Sequence, residues 1–246
     1  MSAILEVAVL GVAVWNSAAD TKPQPSLLPP NERRRAPDTV AVALQVAQAA
    51  CANAGRDPAQ LPTIFASTYG DLAITDYMCR TLAVAPATLS PTRFHNSVHN
   101  AAAGYWSIAT GCRRPYCALG AGPYTFAAGL FAAALQVQAD ETDVLLVAYD
   151  IDARGPQTQI TNSHGLLGVA LVLSAAPGAG GTDATLLELA VTAGTPAGVA
   201  AQTTAGSANA MAACLPLMAA LERRAGDVVR LPLGPDSLLG VRVGRG

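Results

Sequence analysis

With 246 residues, of which 51% are hydrophobic and 13% charged, the chain can form one large domain or two small ones around a sizeable core. Its formal charge of −2 leaves no basic field to neutralise phosphates, which argues against nucleic acid as a partner. So few charges indicate that a partner covers some apolar surface.

The N-terminal segment 1–15 has the hydrophobicity of a signal peptide, but it lacks a basic start and is rich in β-branched residues, so we predict a buried strand. The proline-rich loop 17–37 ends in a charge run that suits either a solvated or a partner-facing loop. We then predict a helix over 38–54, with Asp38 as N-cap and Gly55 closing it. No other apolar run is long enough to predict a membrane span.

The remainder alternates strands and helices. Strands are predicted over 62–67, up to Leu119, and over 143–149, 166–174, 184–191, 228–233 and 238–243; helices over 71–83, 97–111, from the turn after Leu119 to about Ala139, and over 207–225. This alternation indicates a layered α/β/α domain. We expect residues 1–175 to form the main domain and residues 176–246, which begin with a glycine-rich loop at 177–181, a strand-helix-strand extension packed on it.

The five cysteines stand at positions 51, 79, 112, 117 and 214. They are odd in number, form no Cys-x-x-Cys pair and lie in apolar context. We therefore expect reduced core thiols in a cytoplasmic protein.

Residues 115–130 are typical of a buried strand that turns sharply into a helix. Gly120 and Gly122 suit the turn, and Pro123 suits a first helical residue. Enzymes mount nucleophiles on such turns because the helix N-terminus stabilises a thiolate or oxyanion. Here Gly120, Ala121 and Gly122 offer only backbone, so the segment is either a catalytic scaffold without its nucleophile or an ordinary turn.

A second polar segment, residues 90–111, contains two histidines. His95 and His99 are four residues apart and would share a helix face, a spacing that suits a metal. No third ligand lies nearby, and Asn96 and Asn100 are poor zinc ligands. We therefore expect no metal here. The alternative to a metal site is that these polar groups lie at a buried interface.

These residues carry a family resemblance. Phe-His-Asn-Ser-Val-His-Asn at 94–100, Ala-Gly-Tyr-Trp-Ser-Ile-Ala at 103–109 and the glycine turn resemble the N-terminal half of β-ketoacyl synthases, which have the thiolase-like fold. More closely, they resemble the chain length factors of aryl polyene (xanthomonadin-type) pigment clusters. The resemblance covers roughly 3–173 and includes the tail motif at 209–217.

The resemblance implies a catalytically degenerate subunit without a cofactor. Active ketosynthases carry Thr-Ala-Cys-Ser-Ser at this turn, so Gly122 takes the place of the nucleophilic cysteine. They also use two histidines from a second half of the fold, which we do not expect here, and His164 falls in the region of the first half. The resemblance therefore implies the fold and a partner subunit, but no catalytic activity of this chain.

The implied partner is an active β-ketoacyl-ACP synthase, with an acyl carrier protein reached through the complex. In thiolase-like dimers the strand before the turn pairs across the twofold axis. The expected interface residues are Phe94, His95, Asn96, His99, Asn100, Tyr105, Pro115, Tyr116 and Cys117. Tyr124 and Phe126 are the expected acyl-tunnel residues; for Phe126 the alternative is core packing, and for Tyr124 it is an interface anchor.

An alternative function is a stand-alone thiolase-like acyltransferase that uses Cys117, five residues before Gly122. A buried strand cysteine without an activating base is usually inert, which weighs against it. A serine hydrolase is not indicated, because no Gly-x-Ser-x-Gly motif is present.

Overall fold

The computed structural model describes residues 4–17, 22–175, 185–196, 208–223 and 226–245. The strands are β1 (Ile4–Asn16), β2 (Thr63–Ala66), β3 (Tyr116–Leu119), β4 (Val144–Asp150), β5 (Leu167–Ser174), β6 (Thr185–Ala193), β7 (Val228–Gly234) and β8 (Ser237–Arg245). The α-helices are α1 (Pro30–Arg33), α2 (Asp38–Ala54), α3 (Leu72–Val84), α4 (Pro91–His95), α5 (Ala101–Thr110), α6 (Thr125–Asp140) and α7 (Leu215–Arg223). The predicted loop 177–181 lies outside the described residues.

All eight of these strands form one sheet in the order β3-β2-β4-β5-β1-β6-β8-β7. β2 pairs in parallel with both β3 and β4, and the other neighbours are antiparallel. The carboxyl ends of β2, β3 and β4 therefore meet at one edge of the sheet, where α/β proteins commonly place their sites. Since β6, β8 and β7 continue the sheet beyond β1, the division of the chain near residue 175 stays a prediction.

Helices cover both faces of the sheet, as the alternating pattern predicted. α2 and α5 pack on one face against Phe65, Leu145 and Val172. α6 and the segment containing α7 pack on the other face against Ile64, Leu146 and Leu171. Among the described residues, no helix combines the length and hydrophobicity needed to cross a membrane.

Two glycines allow these helices to approach the sheet closely. A Cβ at Gly11 would lie 2.3 Å from the carbonyl oxygen of Ala50 in α2. A Cβ at Gly129 in α6 would lie 3.1 Å from the Cβ of Ala66. Larger side chains at these positions would force the layers apart and lose packing contacts.

Most predicted elements are confirmed to within a residue or two. The C-cap at Gly55 is confirmed by its left-handed backbone, with a φ of 61°. The N-cap prediction is wrong, because Pro37 precedes α2 and Asp38 is its first helical residue. There the Asp38 carboxylate lies in the first turn, where it interacts favourably with the helix dipole.

Three other predictions need correction. The helix predicted over 97–111 begins only at Ala101, and a separate short helix, α4, precedes it. The tail helix is α7, shorter than predicted; Pro216 is its second residue, a position in the first turn where a missing N–H costs nothing. β3 is not buried: it is the edge of the sheet, and Tyr116 is 45% exposed.

Candidate functional site

The candidate site is the turn between β3 and α6. Gly122 has a φ of +56° and opens a short 3-10 turn, Gly122–Tyr124, that contains Pro123. α6 therefore begins at Thr125, two residues later than Pro123 suggested. The buried Thr125 hydroxyl accepts a hydrogen bond from the Ala121 N–H (2.9 Å) and donates to the Gly122 carbonyl (2.7 Å). This side chain fixes the shape of the turn.

The position of Gly122 is open. Apart from its chain neighbours, no heavy atom of the described residues lies within 4 Å of where its Cβ would be. Residues with side chains rarely adopt a positive φ, and they persist there chiefly at functional sites such as nucleophile-bearing turns. The turn thus has the conformation and space that suit a nucleophile, with only backbone at its tip.

His99 lies beside this turn. Its Nε2 is 2.9 Å from the Ser67 carbonyl oxygen at the end of β2; because that oxygen can only accept, Nε2 carries the shared proton. A Cβ at Gly120 would lie 3.1 Å from the Ser67 oxygen and 3.3 Å from the His99 Nε2. Glycine at position 120 therefore leaves room for both the imidazole and the neighbouring strand.

A buried carboxylate holds the ends of β2 and β4 together. Asp150 is 1% exposed and accepts hydrogen bonds from the Ser67 hydroxyl (2.8 Å) and the Thr68 N–H (3.0 Å). Burial raises the pKa of Asp150, and these hydrogen bonds offset part of that rise. The Ser67 hydroxyl in turn accepts from the Gly70 N–H (2.9 Å). The sequence pattern did not predict this network, although Asp150, a polar residue directly after a predicted buried strand, was the available signal.

The tail motif closes the same edge of the sheet. The Asn209 amide nitrogen donates to the carbonyl oxygens of Asp150 (3.2 Å) and Gly165 (2.8 Å), and its oxygen accepts from the Met211 N–H (2.9 Å). Asn209 is buried, so it satisfies backbone groups that water cannot reach. The tail therefore helps to fix the backbone at the end of β4 and in the loop before β5.

The metal hypothesis loses its geometric basis, because His95 ends α4 and His99 lies in the following turn; they do not share a helix face. The neighbouring asparagines bond to tyrosines instead. The Asn96 oxygen accepts from the Tyr105 hydroxyl (3.2 Å), and the Asn100 amide donates to the Tyr116 hydroxyl (3.1 Å). Within the described ranges, no three His, Cys, Asp or Glu residues are grouped to hold a metal ion.

The predicted interface residues differ in exposure. Phe94, His95, His99, Pro115, Tyr116 and Cys117 are exposed, Asn100 and Tyr105 are half-buried, and Asn96 is buried. Cys117 and Cys79 are both exposed, which corrects our expectation that all five cysteines lie in the core. Burial is therefore no argument for the inertness of Cys117. Its thiol is free and forms no hydrogen bond with any group in the described part of the chain.

The two predicted tunnel residues also differ. Phe126 is 2% exposed and belongs to the core cluster of α6 and the sheet. Tyr124 is half-buried at the end of the 3-10 turn. The burial of Phe126 favours the packing alternative, and its role in a tunnel stays a prediction.

Comparison with solved structures identifies the fold. The chain is similar to a ketosynthase in complex with its chain length factor from Xenorhabdus doucetiae (TM-score 0.67, 20% identity, 89% of this chain and 83% of that chain). It is similar to the ishigamide ketosynthase/chain length factor (TM-score 0.66, 13% identity, 99% of each chain). It is also similar to a type II polyketide synthase ketosynthase in complex with its acyl-carrier protein (TM-score 0.71, 8% identity, 99% of this chain and 100% of that chain). The predicted thiolase-like fold is confirmed.

Sequence comparison gives the family. No curated protein matches the chain. The model of the β-ketoacyl synthase N-terminal domain matches residues 12–228, which include the whole of β3, the glycine turn and α6. By that match over most of its length, the chain belongs to the β-ketoacyl synthase N-terminal domain family.

Proposed function

We propose that the chain is a non-catalytic ketosynthase homologue, a chain length factor, that forms a heterodimer with an active β-ketoacyl-ACP synthase. In this role it helps to shape the tunnel that receives the growing acyl chain in aryl polyene or related polyketide and fatty-acid-like biosynthesis. The acyl carrier protein is reached through the complex, and no cofactor is required. Five free cysteines are consistent with a cytoplasmic setting.

The bare turn at Gly122 is the observation that carries this proposal. The resemblance implies that active ketosynthases carry their nucleophile at this turn, where this chain has a positive φ and open space but no side chain. A condensing enzyme needs a nucleophile to hold the acyl group as a covalent intermediate. A chain with the scaffold and without that group is suited to support the chemistry of another subunit.

The exposed edge of the sheet supports the heterodimer. β3 pairs on one side with β2, and its other edge is unpaired within the described residues. An unpaired edge presents free N–H and C=O groups to a second strand. Large apolar side chains are exposed on the neighbouring segments, including Phe94 (58%) and Ile108 (83%). Such a surface is typical of one that a partner covers.

The solved structures add support of a second kind. Two of the similar proteins are ketosynthases with chain length factors, and a third is a ketosynthase bound to its acyl-carrier protein. By analogy with them, we propose that this chain also assembles with a ketosynthase that receives its substrates from an acyl carrier protein.

The decisive experiment is co-expression with a ketosynthase that has the catalytic cysteine and both histidines. We expect the two chains to co-elute in gel filtration. The complex should release carbon dioxide from malonyl-carrier protein, and this chain alone should release none above a buffer control. Carbon dioxide release by this chain alone that disappears in Cys117→Ala, but persists in Cys79→Ala, would overturn the proposal.

That outcome defines the second candidate, a stand-alone acyltransferase that uses Cys117. The exposure of Cys117 favours it. The lack of any hydrogen-bonded base within the described residues weighs against it, because a thiol needs activation to act as an efficient nucleophile. An acyl-transfer probe that labels Cys117 stoichiometrically would support this candidate.

A further inference from the structure

We propose that a cavity of about 430 Å³, separate from the glycine turn, binds a small phosphate-bearing molecule. The cavity lies between the loop before α2, the start of α3, and α4. Its polar lining includes Arg35, Arg93, Arg154, Asn96, Asp38 and Asp71. Its volume falls in the range of ordinary small-molecule sites, about 300–1,000 Å³.

Three arginines on the cavity wall are available to an anion. Arg35, Arg93 and Arg154 are exposed, and none forms an ion pair within the described ranges. The Arg93 guanidinium carbon lies 4.0 Å from the centre of the Tyr77 ring, a stacking contact that holds the side chain in place. The planar guanidinium fork matches the paired oxygens of a phosphate.

Asn96 adds a hydrogen-bond donor to the cavity wall. Asn96 is 4% exposed, and its oxygen accepts from the Tyr105 hydroxyl. Its amide nitrogen donates to no group in the described part of the chain. Because Asn96 lines the cavity, an oxygen of a ligand bound there can accept a hydrogen bond from this amide nitrogen.

The local field also favours an anion. α2 begins at the cavity, and its N-cap residue, Pro37, provides no side-chain acceptor for the free N–H groups of the first turn. The Asp71 carboxylate already accepts from the Thr39 hydroxyl (2.6 Å) and the Ile74 N–H (2.8 Å). The cavity wall therefore carries three arginines and two aspartates, and the carboxylate of one of them, Asp71, is already hydrogen-bonded within the protein.

An adjoining cavity of about 360 Å³ extends the basic surface. It shares Ala36 and Asp38 with the first cavity and adds Lys22, Arg33 and Arg34 to the lining. In a chain with a net charge of −2, this is a marked local concentration of positive charge.

The test is calorimetric titration of the full chain with inorganic pyrophosphate at constant ionic strength. We expect saturable binding and a melting temperature that rises with ligand concentration. Inorganic phosphate should bind more weakly, and citrate should bind no better than inorganic phosphate. Citrate binding as tightly as pyrophosphate would reject the phosphate assignment.

Variants localise the site. Arg93→Gln, Arg154→Gln and Asn96→Asp should each weaken pyrophosphate binding by about tenfold or more, because each loses a donor to a charged ligand. Asn96→Asp keeps the acceptor for Tyr105, and circular dichroism checks that it remains folded. The matched control is Arg223→Gln. Arg223 is an exposed arginine at the end of α7 that pairs with Asp227, and α7 packs on the opposite face of the sheet from α2, so this variant should bind as the unmodified chain does.

Absent binding, or binding weakened equally by the control, would overturn the proposal. Because every residue of the cavity belongs to this chain, the result does not depend on a ketosynthase partner. Failure of this proposal therefore leaves the proposed function intact, and the converse also holds.

Discussion

His99 and Gly120 fit against each other at the edge of the sheet, with only 3.3 Å between the His99 Nε2 and the place of a Cβ on Gly120. The same imidazole bonds to the Ser67 carbonyl, so it joins the segment after α4 to the ends of β2 and β3. A side chain at position 120 would therefore disturb three parts of the structure together.

We expect Gly120→Val to lower the free energy of unfolding by about 1–3 kcal/mol, because the added methyl groups overpack the space held by His99. His99→Ala in the same chain should restore part of this loss, measured by urea unfolding as a double-mutant cycle. Gly104→Ala in α5 is the control: none of the described residues outside the helix's own backbone lies within 4 Å of that Cβ position, so stability should stay level or rise by about 0.5–1 kcal/mol. Strict additivity of the two substitutions would contradict the packing account.

Thiol labelling can test both the burial of the cysteines and the partner surface. Cys79 and Cys117 are exposed and should react quickly with a thiol reagent, while Cys51, Cys112 and Cys214 are buried and should react slowly. Burial raises the pKa of Cys51 to about 12, which further suppresses its reactive thiolate.

In the complex with a ketosynthase, we expect Cys117 to become protected while Cys79 on α3 continues to react. Mass spectrometry of the labelled peptides measures both sites in one sample, so Cys79 is an internal control. Equal labelling of Cys117 in the free chain and in the complex would remove β3 from the interface.

The buried carboxylate predicts a pH dependence. The pKa of Asp150 is raised in the folded state, so its favourable contribution is complete below the ordinary pKa and declines as pH rises through the folded value. Asp150→Asn does not titrate. Its stability relative to the unmodified chain should therefore improve as pH rises from about 4, although the loss of one hydrogen bond lowers it overall. Urea unfolding of both proteins across that range measures the difference, and a constant difference would contradict the assignment.

Substitution of Phe126 can distinguish a role in core packing from a role in gating the acyl tunnel. Because the side chain is almost fully buried, we expect Phe126→Ala to cost about 3–5 kcal/mol of stability, and any remaining complex to make products of unchanged length. Phe94→Ala is the matched control, since its exposed ring should affect assembly more than the stability of the chain. A stable complex with products longer by two-carbon units would assign Phe126 to the tunnel.

Much of the fold was predictable from periodicity and local turn signals. The C-cap at Gly55 and the strands from Val144 and Leu167 follow from residue types within a short window. The exposure of β3 was not predictable, because an apolar strand has the same pattern in the middle of a sheet and at an edge that a partner covers. Nor was the break between His95 and His99, where tertiary hydrogen bonds override a helical spacing.

For the candidate site too, features that depend on neighbouring residues were predictable and features that depend on tertiary contacts were not. The bare turn at Gly122 was visible in the sequence, since it depends on three consecutive residues. The buried Asp150 and its bond to Ser67 join positions 83 residues apart, and only the sheet brings them together. Likewise, Asn96 gave no sign in the sequence that it would be buried beside three arginines.

The place of β1 in the sheet has a consequence for how the protein is made. β1 is synthesised before the strands it pairs with: Trp15 pairs with Gly168 and Leu5 pairs with Leu189, so both neighbouring strands follow much later in the chain. Such long-range pairing is slow and leaves apolar strands exposed in the meantime. The yield of native protein should therefore depend on slow synthesis and on chaperones that shield β1 until its neighbours arrive.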